Sequence, residues 1–335
     1  MRPLAAISFV VAACGHDEPA ESEAESEAEA EVEGWALVFD ELPGSVLSCF
    51  AAGEDDVWLV GTGGLLLHWD GATFRRTDTK VDGWLWWTWG CSSDDMWAVG
   101  EDGVMLRVQG GAVAPVASGA NATLFGVWGA SCDDVWAVGG SPTGGGENDV
   151  MLHWDGASVA RVAPPEEFGV SLFKVWGSAA DDVIVVGAAG LIWRGGAAGW
   201  AREESTCAQR LFTVYGSAPG DVLAVGGQCA TRWNGEAWSA IPGLDITGQL
   251  PNGVHVEPDG RALIVGFGAL KARRTADGTW VNESALDPYG VDFHAACGDG
   301  SGGFFAVGGN FLTPGSEQHG VVAHYGARHP QAAFE

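Results

Sequence analysis

One short phrase recurs through the chain: "DDVWLVG" at 55–61, "DDMWAVG" at 94–100, "DDVWAVG" at 133–139 and "DDVIVVG" at 181–187. Its closing Val-Gly pair continues to Val225-Gly226, Val265-Gly266 and Val307-Gly308. The seven pairs are thus separated by 39, 39, 48, 39, 40 and 42 residues. A period of about 40–45 residues built of short strands and turns is that of four-stranded propeller blades.

Each copy repeats one sub-pattern. An apolar stretch such as "LFGVWG" (124–129), "LFKVWG" (172–177) or "LFTVYG" (211–216) comes first, then a tight turn and the Val-Gly strand. A glycine-rich turn leads to "LLLHWDG" (65–71) or "MLHWDG" (151–156), and a weak segment such as "EAWSAIP" (236–242) closes the copy. Val57, Trp58, Leu59 and Val60 are apolar without alternation, so such strands must be covered on both faces. Neighbouring blades supply that cover. The 52 glycines and 17 tryptophans suit a packed, turn-rich all-β chain.

A ring of repeats has to close. The seventh copy ends at "GVVAHYG" (320–326) without a fourth strand, while "GWALVFDELPG" (34–44) precedes the first copy as an orphan strand. Pairing the two completes the last blade and removes both free edges. The expected fold is a seven-bladed β-propeller over residues 34–335, with four-stranded blades and the last blade closed by the N-terminal strand. A monomer is expected.

The segment before it is of another kind. "MRPLAAISFVVAACG" carries Arg2 and then a ten-residue run, apolar but for Ser8, too short to span a bilayer, and reads as a signal peptide over 1–13. Residues 14–33 hold nine acids and no Lys or Arg. Like-charge repulsion keeps such a stretch extended and solvated, a tether of about 60–70 Å at full reach.

Recurrence also sorts the polar residues. Asp55-Asp56, Asp94-Asp95, Asp133-Asp134 and Asp181-Asp182, with Asp221 in the fifth copy, form a carboxylate pair in every early turn. Sites of catalysis are single, whereas structural devices repeat, so these acids are expected to bond backbone N–H groups within their turns. Trp89, Trp128, Trp176 and Tyr215 form one packing column, and Trp58, Trp97 and Trp136 another. His68, Arg107, His153, Arg232 and His324 recur on the third strands, which hold them far apart. No metal site and no cofactor is expected.

Function should then lie in what varies. The loops opposite the acidic turns differ between copies: "SPTGGGEND" (141–149), "APPEEFG" (163–169), "REESTCAQR" (202–210) and "GLDITGQLPNG" (243–253). Variable loops on a rigid scaffold commonly carry binding. The candidate ligand-binding residues are Lys174, Glu166, Glu167, Glu203, Glu204 and Arg210. Lys174 stands out because its column otherwise reads Ser48, Trp87, Gly126, Thr213, Gly253 and His294.

Six cysteines follow Cys14, an even number that permits three disulfides in an exported chain. Cys207 and Cys229 share the variable face of copy five. Cys91 and Cys132 occupy the tight turns of neighbouring copies, and Cys49 and Cys297 meet across the closure. Free thiols are the alternative.

Val11-Ala12-Ala13-Cys14 resembles a lipobox. Together with the acidic tether and the "VWGSxxDDVWAVGxxGxxLHWDG" copies, it makes the chain resemble bacterial surface lipoproteins with Kelch- or BNR-like propeller repeats. The resemblance implies that Cys14 is lipidated and that the domain sits in the cell envelope, at the outer membrane. It says little about activity. No Ser-His-Asp signature, zinc-helix motif or phosphate loop appears. With a net charge of −28, the chain is a poor partner for nucleic acid. The expected function is non-catalytic binding of a protein or glycan through the variable-loop face. The alternative is a glycan-active hydrolase or lyase at the channel mouth.

Overall fold

The computed structural model describes residues 33–142, 145–284, 291–311, 319–327 and 333–334. Cys14, the signal peptide and residues 14–32 of the tether lie outside them. Seven antiparallel sheets follow one another, as the repeat predicts. In blade four the strands are Leu172–Ala179, Asp182–Gly187, Ile192–Gly196 and Gly199–Arg202, in that order from the inside outward. Among the described residues no helix is long and apolar enough to cross a membrane.

Gly34–Leu42 pairs with Gly320–Gly326, Trp35 standing opposite Tyr325 and Leu42 opposite Gly320. The ring is therefore closed by the N-terminal strand. One strand was not anticipated: Ala333–Phe334 adds in parallel to Thr73–Phe74, giving the first blade a fifth strand.

Two glycine columns explain the phrases that repeat. A Cβ on the ruler glycine would meet the backbone carbonyl at the head of the inner strand: 2.0 Å from Ser45 O at Gly61, 2.1 Å from Thr123 O at Gly139, 2.0 Å from Asp292 O at Gly308. The glycine of "VWG" answers to the neighbouring blade. A Cβ on Gly129 would lie 2.8 Å from the Trp89 ring, on Gly177 2.6 Å from Trp128, and on Gly216 2.7 Å from Trp176. In these blades the aromatic residue thus seats on bare backbone of the next, which is how interiors reach crystal-like density.

The acid pairs are structural, but not through their own turns. The second acid of each pair, on the second strand, binds the cation on the adjacent third strand. His68 Nε2 meets Asp56 Oδ1 at 2.7 Å, Arg107 Nη2 meets Asp95 Oδ2 at 2.7 Å, and His153 Nε2 meets Asp134 Oδ1 at 2.7 Å. Arg194 pairs with Asp182 and Arg232 with Asp221 likewise. Turn capping falls instead to the Asp of "HWDG": Asp70 Oδ1 accepts from the Ala72 and Thr73 amides, and Asp155 Oδ1 from Ala157 and Ser158. The tryptophans do pack as read. Trp58, Trp97 and Trp136 are buried, and Trp58 stacks on His68 at 4.1 Å.

All three expected cysteine pairs are disulfides, with Cα–Cα distances of 6.0 Å for Cys49–Cys297, 5.5 Å for Cys91–Cys132 and 5.9 Å for Cys207–Cys229. The first two staple neighbouring blades.

Candidate functional site: an aromatic mouth on the variable-loop face

Near the start of its inner strand nearly every blade carries a β-bulge. In blade four Leu172 pairs with Gly187 and Lys174 with Val186, leaving Phe173 between them without a partner. Leu47, Trp86, Phe125, Asn252 and His294 are bulged in the same way, and Phe212 stands just before the first paired residue of blade five. A bulge re-aims its side chain. Trp86, Phe125, Phe173, Asn252 and His294, placed by these bulges, and Phe212 all line one cavity, while Leu47 does not.

The result is an open cavity of about 260 Å³, lined by Trp84, Trp86, Phe125, Phe173, Phe212, Phe267 and Phe311 together with Lys174, Arg210, Thr213, Asn252, His294 and Pro142. The rings touch in sequence around it: Trp86–Phe125 at 5.3 Å, Phe125–Phe173 at 5.5 Å, Phe173–Phe212 at 5.3 Å and Trp86–His294 at 5.7 Å between centroids. Such tilted and edge-on contacts are the favoured geometry for aromatic pairs.

Lys174 forms the floor. Its side chain is buried, its Nζ donates to Phe125 O at 2.9 Å and lies 3.2 Å from the centre of the Trp87 ring. Beneath it is a second cavity of about 90 Å³, bounded by Tyr215, His255 and the Cys49–Cys297 bridge. Burial pushes the Lys174 ammonium well below its ordinary pKa. His294 is half-buried; desolvation, with the nearby Lys174 charge adding to it, takes its imidazole down to about 3, although its Nδ1 donates to Leu47 O. Its column needs one correction. The residue opposite Val307 is Ala295, so His294 belongs with the bulged residues and not with Lys174.

Arg210 stands exposed at the rim, and its guanidinium makes no hydrogen bond or ion pair with any described residue. The four glutamates do not join it. Glu166 is on the surface, 3.5 Å from Arg202. Glu203 accepts from Trp238 Nε1 at 2.5 Å and lies 3.7 Å from Arg194 Nη1. Glu167 and Glu204 are exposed. Among the described residues no carboxylate lines either cavity.

The wall itself was not foreseen. Its signal was the Phe of "LFGVWG", "LFKVWG" and "LFTVYG", which recurs and so was counted as architecture.

The fold defines the class: a seven-bladed β-propeller. No protein-family model matches the chain, and no curated protein does. Solved structures do resemble it. YCF48 bound to D1 peptide is 14% identical with a TM-score of 0.65, covering 87% of this chain and 96% of that one. A virginiamycin B lyase from Staphylococcus aureus is 11% identical with a TM-score of 0.68, covering 87% and 99%. The WD40 propeller domain of Doa1 is 12% identical with a TM-score of 0.65, covering 88% and 97%. At such identities the likeness is one of fold alone.

Proposed function

We propose that this chain is a non-catalytic interaction module, held at a membrane by a lipid on Cys14, which binds a protein partner through the mouth of its propeller. The single observation that carries the reading is the mouth itself. On a chain of net charge −28, an aromatic wall encloses about 260 Å³ with the cation Arg210 exposed at its rim and no described carboxylate. Its complement is an apolar or aromatic side chain flanked by acidic groups, a partner that the rest of the surface repels. Buried aromatic anchors and arginine are the usual source of binding energy at such contacts. That YCF48 is a propeller bound to a peptide, and that Doa1 carries a WD40 propeller, agrees with this use of the fold.

A glycan is the other ligand that exposed aromatic rings accept. Glycan hydrolysis by Glu166, Glu167, Glu203 or Glu204 finds less support, since none of them lines the mouth. The Kelch- or BNR-like lipoprotein reading supplies the location: an envelope protein whose 14–33 tether lifts the domain from the outer membrane. Loss of fatty-acid labelling and of membrane association in Cys14→Ser would support the anchor; unchanged labelling would remove it.

The binding reading is tested by selecting a random peptide library, and probing a glycan array, on the full chain. Peptides pairing aromatic or aliphatic residues with Asp or Glu are expected, with affinity falling about tenfold or more in Phe212→Ala and in Arg210→Glu but not in Asp94→Ala on the opposite face. Ligands indifferent to both mouth substitutions would overturn it. Glycan hits without peptide hits would replace the protein partner with a sugar.

A further inference from the structure

We propose that the Lys174 ε-amine is a covalent binding site, capturing small apolar aldehydes and ketones that enter the mouth by forming an imine with them.

The argument begins with what surrounds the amine. Its contacts are a carbonyl oxygen, Phe125 O at 2.9 Å, and the face of Trp87. Neither cavity that it borders contains a described carboxylate. A buried ammonium without a counter-ion is costly, and lysine answers by giving up its proton. The direction of its pKa, driven by burial, agrees. Desolvation in an apolar pocket is one of the ways a lysine becomes a nucleophile toward carbonyl carbon.

The second observation is access. Most buried lysines are sealed into packing, whereas this one is the floor of an open cavity. At about 260 Å³ the cavity is smaller than the ~300–1,000 Å³ of drug-sized sites. It therefore suits a benzaldehyde-sized ring or a short alkyl chain. The wall of Trp86, Phe125, Phe173 and Phe212 favours such groups. His294, held neutral, adds no competing charge.

The chemistry balances within the two partners. The amine lone pair attacks the carbonyl carbon, a C–N bond forms, and the oxygen takes a proton to give a carbinolamine. Loss of that oxygen with both amine hydrogens as water leaves C=N. Nothing is oxidised or reduced, and hydrolysis reverses the step. The inference does not depend on a protein partner, because it uses the floor of the cavity and not its rim.

The full chain has three lysines, Lys80, Lys174 and Lys271, which makes the site easy to map. The folded protein is incubated with benzaldehyde and cyanoborohydride, which fixes an imine as a stable benzylamine, and the adduct is located by peptide mass mapping. Each unit of pKa depression raises the free-base fraction about tenfold. Lys174 is therefore expected to be labelled about tenfold or more faster than exposed Lys80. Lys174→Met should abolish the adduct with an unchanged near-ultraviolet circular dichroism spectrum. Phe212→Trp, which narrows the mouth and keeps the amine, should slow capture. Labelling of Lys80 without Lys174, or of Lys174 only after denaturation, would overturn the proposal. Failure of peptide binding would leave it standing.

Discussion

Arg274 of blade six reaches Asp221 of blade five, Nη2 to Oδ2, at 2.9 Å. Blade six has Arg261 where the first five blades have the acid, so its own third-strand Arg273 turns to Glu283 and Arg274 borrows its neighbour's carboxylate. Asp221 also accepts from Arg232 Nε at 2.9 Å. One carboxylate thus holds two guanidinium groups across a blade boundary. Asp221→Ala should cost about 3 kcal/mol by leaving both partly buried cations unpaired. Arg202→Ala, which removes an exposed pair, should cost less than about 1 kcal/mol. Thermal melts of the two variants side by side check the contrast; equal shifts would refute it.

The bridges should differ in weight. Cys49–Cys297 closes a span of 248 residues and Cys207–Cys229 one of 22. In the chain-entropy account these contribute about 5 and about 3 kcal/mol. Replacing both cysteines of the first pair by serine should lower the melting temperature more than replacing both of the second. Reduction of the wild type should lower it further still.

Acid should act through two groups of opposite kind. His294 is held down at about 3 by burial, so the folded state stays neutral while the unfolded chain takes up a proton near pH 6.5. Stability then falls as pH drops from about 6.5 toward 3. His294→Phe should flatten that limb of the curve. Burial works against ionisation of Asp299, yet hydrogen bonds from His324 and from the Ser301 amide and hydroxyl bring it down to about 2. A carboxylate depressed in this way stabilises above about pH 4, its unfolded value, and that stability is lost as pH falls to about 2. Asp299→Asn should remove this second loss, worth about 2 kcal/mol. Chemical denaturation from pH 7 to 2 reads both.

The glycine columns can be tested without touching any charge. A methyl on Gly139 would sit 2.1 Å from Thr123 O, and backbone cannot yield as a side chain can. Gly139→Ala should therefore cost about 2–3 kcal/mol. Gly53→Ala has nothing within 4 Å of the new methyl and should be neutral or slightly stabilising. Comparable losses in both would show that helix or strand propensity, and not close approach, governs these positions.

Much of the fold was legible because each blade is sandwiched by copies of itself. The burden of packing therefore falls on the same positions every time, and Val60-Gly61 and its six equivalents mark it in plain view. The cysteine pairs were legible for the same reason: knowing the strand and the copy fixes the neighbour. Lys174 stood out as a charge in a column of small or apolar residues, and the structure brings it to the centre of the site. The glutamates misled because a loop's variability says which face it is on, not how far from the axis it lies. Partnership between acids and third-strand cations also escaped, although both columns were visible, since pairing between adjacent strands depends on which way each side chain leaves its sheet.

By itself, then, the sequence determined the number of blades and the closure by residues 34–42, since both follow from periodicity and order along the chain, and it left three cysteine pairings open against free thiols. Only the tertiary structure decided where the site lies. A bulge slips one residue out of register without altering the apolar pattern, and rotation about an axis gathers Trp86, Phe125, Phe173 and Phe212 into one wall. A repeated residue looks like masonry when read along a line, but in a closed ring it can meet its own copies at the centre.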